Sequence, residues 1–108
     1  MMLINKKRGE IGAELGGKQR CLCLTLGALA QLETSFNVSD MTALTERFAS
    51  GRLSASDLLS IIHAGLVGGG HNFSRDDVAE MQAEGGVVGF ARIASELLEV
   101  TFGSNAQK

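Results

Sequence analysis

Cys21-Leu-Cys-Leu-Thr-Leu-Gly-Ala-Leu-Ala-Gln-Leu-Glu-Thr-Ser-Phe36 changes its hydrophobic period in the middle. Leu22, Leu24 and Leu26 recur at every second residue, as in a half-buried strand. Leu29, Leu32 and Phe36 recur at three and four, as on one face of a helix. Thr25 stands at the changeover, where its hydroxyl can accept from a free backbone N–H as a helix N-cap. A strand therefore ends near Leu24 and runs almost directly into a helix over 25–36.

Upstream, Ile11, Ala13 and Leu15 alternate with Glu10, Gly12 and Glu14. Gly16-Gly17 follows, a two-residue turn signal that tolerates positive φ. An antiparallel hairpin over about 8–15 and 18–24 is predicted, with the 25–36 helix packed on it through Leu29, Leu32 and Phe36. Met1 to Asn5 is a short lead that can extend the strand.

Downstream the pattern is helical. Met41, Leu44 and Phe48 mark a second helix that stops at Ser50-Gly51. Leu53-Ser-Ala-Ser-Asp-Leu58 is the sharpest local signal: Ser54 and Asp57 form a capping box, and Leu53 with Leu58 a hydrophobic staple. The third helix buries Leu58, Ile61, Ile62 and Leu66 and fails at Gly68-Gly-Gly70, where turn chemistry predicts a flexible hinge. Phe73-Ser-Arg-Asp-Asp-Val78 repeats the cap, with Ser74 paired to Asp77. Use of one common cap explains the recurrence better than duplication of a helical unit. A short fourth helix turns Val78 and Met81 inward and ends near Glu84-Gly-Gly86. A fifth spans 87–102, and polar residues 104–108 follow. The expected fold class is α+β: an N-terminal hairpin, then four to five helices, in a single domain over 1–108 with its core at about 8–103.

Length and composition agree with one modest core. The 108 residues include five Phe, no Trp or Tyr, fourteen Gly and no Pro. Leu, Ile, Val, Ala and Met must therefore fill the interior. The net charge of −2 argues against nucleic-acid binding, which depends on concentrated Lys and Arg. Lys6-Lys-Arg8 is the one basic cluster and reads as a solvated lead-in. No apolar run reaches the ~18 residues of a membrane span, and no secretion signal is apparent. A cytoplasmic protein with two reduced thiols is expected. Cys21 and Cys23 share a strand face, and Cα atoms about 6.8 Å apart strain a disulfide. With only His63 and His71 as further candidates at the wrong spacing, no metal site is expected.

Chemistry is not written into the chain. Ser54 and Ser74 are caps, and Asp76-Asp77 complements a helix dipole. His63 reads as partly buried or flanking, and His71 as solvated. Gly68-Gly-Gly-His71 lacks the lysine and spacing of a P-loop. No catalytic or cofactor-binding residue is assigned, and the protein is expected not to be an enzyme.

Arg8-Gly-Glu10, the stretch from Cys21 to Glu33, and Arg47-Phe-Ala-Ser-Gly-Arg-Leu-Ser54 resemble the small tail proteins of gene transfer agents and related bacterial phages, a family grouped with the phage tail assembly chaperones. The likeness runs from about Gly9 to Gly103. It implies a chaperone that holds the tape-measure protein, a long and helix-rich chain, until the tail tube forms around it. The alternative is a structural component of the tail tube or the head–tail junction. By analogy, tube subunits carry extensive sheet, so a single hairpin favours the chaperone. A protein partner is implied, namely the tape-measure or another tail protein, and a homo-oligomer is possible.

On a wheel at ~100° per residue, the fifth helix has a wide apolar arc. Phe90, Ala94, Leu97 and Leu98 form its inward stripe, while Ile93 and Val100 lie on a shoulder. Either this helix is central in the domain, or Ile93, Val100 and Leu97 belong to a partner-binding surface.

Overall fold

The computed structural model describes residues 4–5 and 8–102. The stretch around Thr25 folds as its period predicts. Strands β1 (Glu10–Leu15) and β2 (Lys18–Cys23) pair antiparallel, Ile11 opposite Leu22 and Leu15 opposite Lys18. Gly16 and Gly17 both take positive φ, which the tight turn demands. Ile11, Ala13, Leu15 and Leu22 face the core, while Cys21 and Cys23 lie on the opposite face of the hairpin.

Helix α1 (Leu26–Ser35) starts where the Thr25 hydroxyl accepts from the Ala28 N–H at 3.1 Å. Four helices follow: α2 (Met41–Ala49), α3 (Ala55–Gly68), α4 (Arg75–Ala79) and α5 (Gly86–Phe102). Asp40 caps α2, and both expected capping boxes form. At α3, Asp57 N donates to Ser54 Oγ at 3.1 Å and Ser54 N to Asp57 Oδ2 at 2.9 Å. At α4 the corresponding distances are both 3.0 Å. Ser54→Ala and Ser74→Ala are each expected to lower stability by ~1 kcal/mol. Circular dichroism melts coincident with wild type would mean that these hydroxyls do not hold the helix starts.

Asp57 does more than cap. Its Oδ2 also accepts from Arg47 Nη2 at 2.8 Å, and Arg47 Nη1 donates to the Arg52 carbonyl. Partial desolvation pulls the Asp57 pKa up. The Ser54 N–H and the Arg47 guanidinium outweigh it and hold the carboxyl below the usual range. The stabilisation is thus present above the unfolded-state pKa and is lost as pH falls through the folded one. Arg47 also lies over the Phe36 ring, 5.2 Å from its centroid, so one side chain joins the end of α1 to α2 and the start of α3.

Helix α3 is the centre of the molecule. It packs on β2, α1, α4 and α5. Leu58, Ile61, Ile62, Ala64, Gly65 and Leu66 are buried around most of its circumference, as expected for a helix that is apolar on nearly every side. This corrects one sequence expectation. Helix α1 packs chiefly on α3, through buried Ala28 and Leu32, rather than on the hairpin, whose inner face is covered mainly by α3 and α5. The wide apolar arc of α5 serves packing against α3 and β1, while Phe102 meets the Phe48 ring at 5.9 Å.

The predicted hinge at Gly68-Gly-Gly70 is a packing contact. A Cβ on Gly68 would run into the Cys23 carbonyl oxygen, and one on Gly69 into that of Cys21. Gly70, at φ +97°, is the left-handed residue, and the following His71 N–H returns to the Leu66 carbonyl at 2.9 Å. Helix α4 also ends sooner than expected, at Ala79. Beyond it, the Gln82 carbonyl accepts from Gly16 N at 3.0 Å, so the backbone serves the hairpin turn and no longer a helix. Of the N-terminal lead, the Asn5 carbonyl accepts from Arg8 and Glu10 N–H groups, a turn in place of a strand extension. Met1–Leu3, Lys6, Lys7 and 103–108 lie outside the described residues.

Candidate functional site

An apolar groove of about 230 Å³ opens between α3, α4 and the first turns of α5. Its floor is one stripe of α3, Ala55, Leu58, Leu59 and Ile62, spaced at three and four residues. The Ser54 capping box fixes where that stripe begins. Val78 and Ala79 of α4 form one wall. Arg75 holds this short helix in place, its Nη1 donating to Ser60 Oγ at 2.6 Å and its Nη2 to Ser56 Oγ at 3.0 Å. Val87 and Phe90 of α5 form the other wall. Val87 is 71% exposed and the adjacent Val88 64%. Val87 thus lines an apolar groove and yet stands largely in solvent, the pattern of a contact surface.

The groove is smaller than the ~300–1,000 Å³ typical of small-molecule sites. Its apolar lining suits a few side-chain anchors of a helical partner. The three residues singled out in the sequence lie elsewhere. Leu97 is wholly buried and packs into the core next to Gly65. Ile93 and Val100 are half-buried against the same core. The open apolar surface of α5 is at its N-terminal end, at Val87 and Val88. The available signal was two consecutive valines directly after Gly85-Gly86, at a helix start that usually carries polar residues.

His63 is half-buried, as its flanking position on α3 suggested, with Nε2 2.9 Å from the Phe73 carbonyl. His71 is not a solvated loop residue. It is half-buried and stacks on Phe73, centroids 5.7 Å apart, and Arg20 covers the same ring at 4.8 Å. The Cys21 and Cys23 thiols are free and half-buried, with Cys23 Sγ 3.7 Å from the Arg8 carbonyl oxygen. Burial, and then the Glu10 carboxylate, push both thiols above their ordinary pKa, which lowers thiolate content and reactivity at neutral pH. Thiol labelling of denatured, non-reduced protein is expected to find two groups, and labelling of the folded protein to be slower. Recovery of none would contradict the reduced state. Among the described residues no group of three or more His, Cys, Asp and Glu could hold a metal ion, and no helix is long and apolar enough to cross a membrane.

A family model described as "Phage tail tube protein, GTA-gp10" matches residues 8–104. No curated protein and no solved structure matches the chain.

Proposed function

We propose a role that starts from kinship: the chain belongs to the GTA-gp10 phage tail tube protein family and is a phage-type tail protein. Within the tail, the role we assign is that of a non-enzymatic assembly chaperone. It binds a helical segment of a tape-measure-type protein and keeps that segment's apolar face from aggregating before the tube forms.

The observation that carries this reading is the apolar groove along α3, one of whose lining residues, Val87, is largely exposed. An amphipathic helix that seats its apolar stripe there would cover surface that the monomer leaves wet. The modest sheet supports the same reading. Two strands make the whole sheet among the described residues, and α3 abuts the outer edge of β2 through Gly68 and Gly69.

The second reading, a subunit of the tail tube or of its junction with the head, is favoured by the family's own description. Co-expression with the tape-measure protein, capture, and composition of purified particles separate the two. A chaperone is captured with the tape-measure protein and is absent from finished particles. A tube subunit is present in particles at high copy number. Val87→Asp changes an exposed side chain, so the fold should persist. Capture should fall at least tenfold, the equivalent of ~1.4 kcal/mol. Undiminished capture by a folded Val87→Asp protein would remove the groove from the proposal.

A further inference from the structure

Helix α2 lies on the fold more than in it. Of its nine residues only Leu44 is buried, against seven of the fourteen in α3. It packs chiefly on α1. Among the described residues, no backbone–backbone hydrogen bond joins 39–51 to the rest of the chain. Two left-handed residues flank the segment, Asn37 at φ 57° and Gly51 at φ 73°, each just beyond a helix end, so helical bonding runs through neither boundary.

Three side chains hold α2 down. Leu44 is wholly enclosed. The Phe48 ring meets Phe36 edge-on, centroids 5.3 Å apart, and Phe102 at 5.9 Å. Arg47 reaches beyond its own helix to the Arg52 carbonyl at 2.6 Å and to Asp57 Oδ2 at 2.8 Å, and so ends in the capping box that starts α3. An element with little buried surface and few ties opens at a lower free energy than the core beneath it. We infer that α2 is a latched flap: the 39–51 segment swings off as a unit, with Arg47 as the latch, while the rest of the fold stays in place. The surface it uncovers carries Phe36 and Phe102, and α2 itself is the occupant of that surface in the closed state. Arg47 thereby controls access to an aromatic patch, whether or not the groove along α3 holds a partner.

The test is native-state hydrogen exchange on the full chain, read at single amides by NMR over urea concentrations below the unfolding midpoint. Amides 44–50 should share one opening, at least about tenfold more frequent than that of amides 61–66 in α3. Its urea slope should lie between zero and the global value, because the slope follows the surface exposed. Ile11→Val trims the core on β1, which packs on β2 and α5. It should speed amides 61–66 roughly two- to tenfold and leave 44–50 as in wild type, since the open and closed forms share that contact. Arg47→Met should speed both sets alike, by about tenfold, because its bonds are lost in either opening. A zero slope at 44–50 would mean bond-by-bond fraying and would overturn the flap. So would a global slope, or acceleration of 44–50 by Ile11→Val, because α2 would then open only when everything unfolds. Unchanged exchange at 44–50 in a folded Arg47→Met protein would remove the latch and with it the inference.

Discussion

Gly69→Ala is expected to destabilise the protein by about 3 kcal/mol, the upper end of the usual overpacking penalty. The magnitude follows from what the new methyl would meet. A Cβ at Gly69 would land on the Cys21 carbonyl oxygen and lie 3.2 Å from Leu22 Cα. Both are backbone atoms of β2, and no rotamer change can move them aside. Their placement follows from the hairpin register. With a two-residue turn between Leu15 and Lys18, alternate residues of β2 bond to β1. Cys21 and Cys23 are the ones whose carbonyls point to the outer edge, where the end of α3 arrives. Gly27→Ala is the control. Gly27 is exposed on α1 and has only Thr25 Oγ1 near, at 3.9 Å. There the substitution should be neutral or stabilising by up to ~1 kcal/mol, because it relieves the helix of a glycine. Urea unfolding followed by circular dichroism reads both. A Gly69→Ala protein as stable as wild type would mean that the end of α3 does not sit on β2 as described.

The contrast between Gly27 and Gly69 marks how far a single sequence carries the fold. Periodicity and capping are local, and they placed the elements: the Thr25 changeover, the Ser54 and Ser74 boxes and the Gly16-Gly17 turn all stand where their residues put them. Which helix lies at the centre is a tertiary question. Helix α3 reads as one apolar face when only Leu58, Ile61, Ile62 and Leu66 are counted. Ala64 and Gly65, small residues easily passed over, are what let neighbours approach from other sides. In the same way Gly68-Gly-Gly70 carries the signature of a hinge, because glycine for flexibility and glycine for close backbone approach look identical in sequence. The groove was legible in part. Its floor shares Leu58 and Ile62 with the apolar stripe read on α3, but its walls come from α4 and α5, and only folding brings Val87 to the same groove as Leu59, 28 residues earlier.

Leu97→Ala is expected to lower stability by about 2–5 kcal/mol, the range for truncating a buried leucine. Leu97 is fully enclosed, and its Cδ2 would lie 2.6 Å from a Cβ placed on Gly65 of α3. The two positions therefore share one small volume, and a second substitution tests that directly. Gly65→Ala alone should destabilise by ~1–3 kcal/mol through overpacking, partly offset by ~1 kcal/mol of improved helix propensity. Added to Leu97→Ala, the same methyl enters space that the missing isobutyl group has vacated. It still meets Leu22, whose Cβ and Cδ2 lie 3.3 and 3.2 Å away, so the relief is incomplete. The double variant should be more stable than the sum of the singles predicts, with a coupling of about 1–2 kcal/mol for residues in contact. Additivity within ~0.5 kcal/mol would separate the two residues and undo the described α3–α5 contact. The same cycle assigns the role of Leu97. A leucine that met a partner from the surface would lose binding on truncation while the free protein kept its melting temperature. A leucine locked against Gly65 loses stability first, and its binding defect is recovered by whatever restores the core.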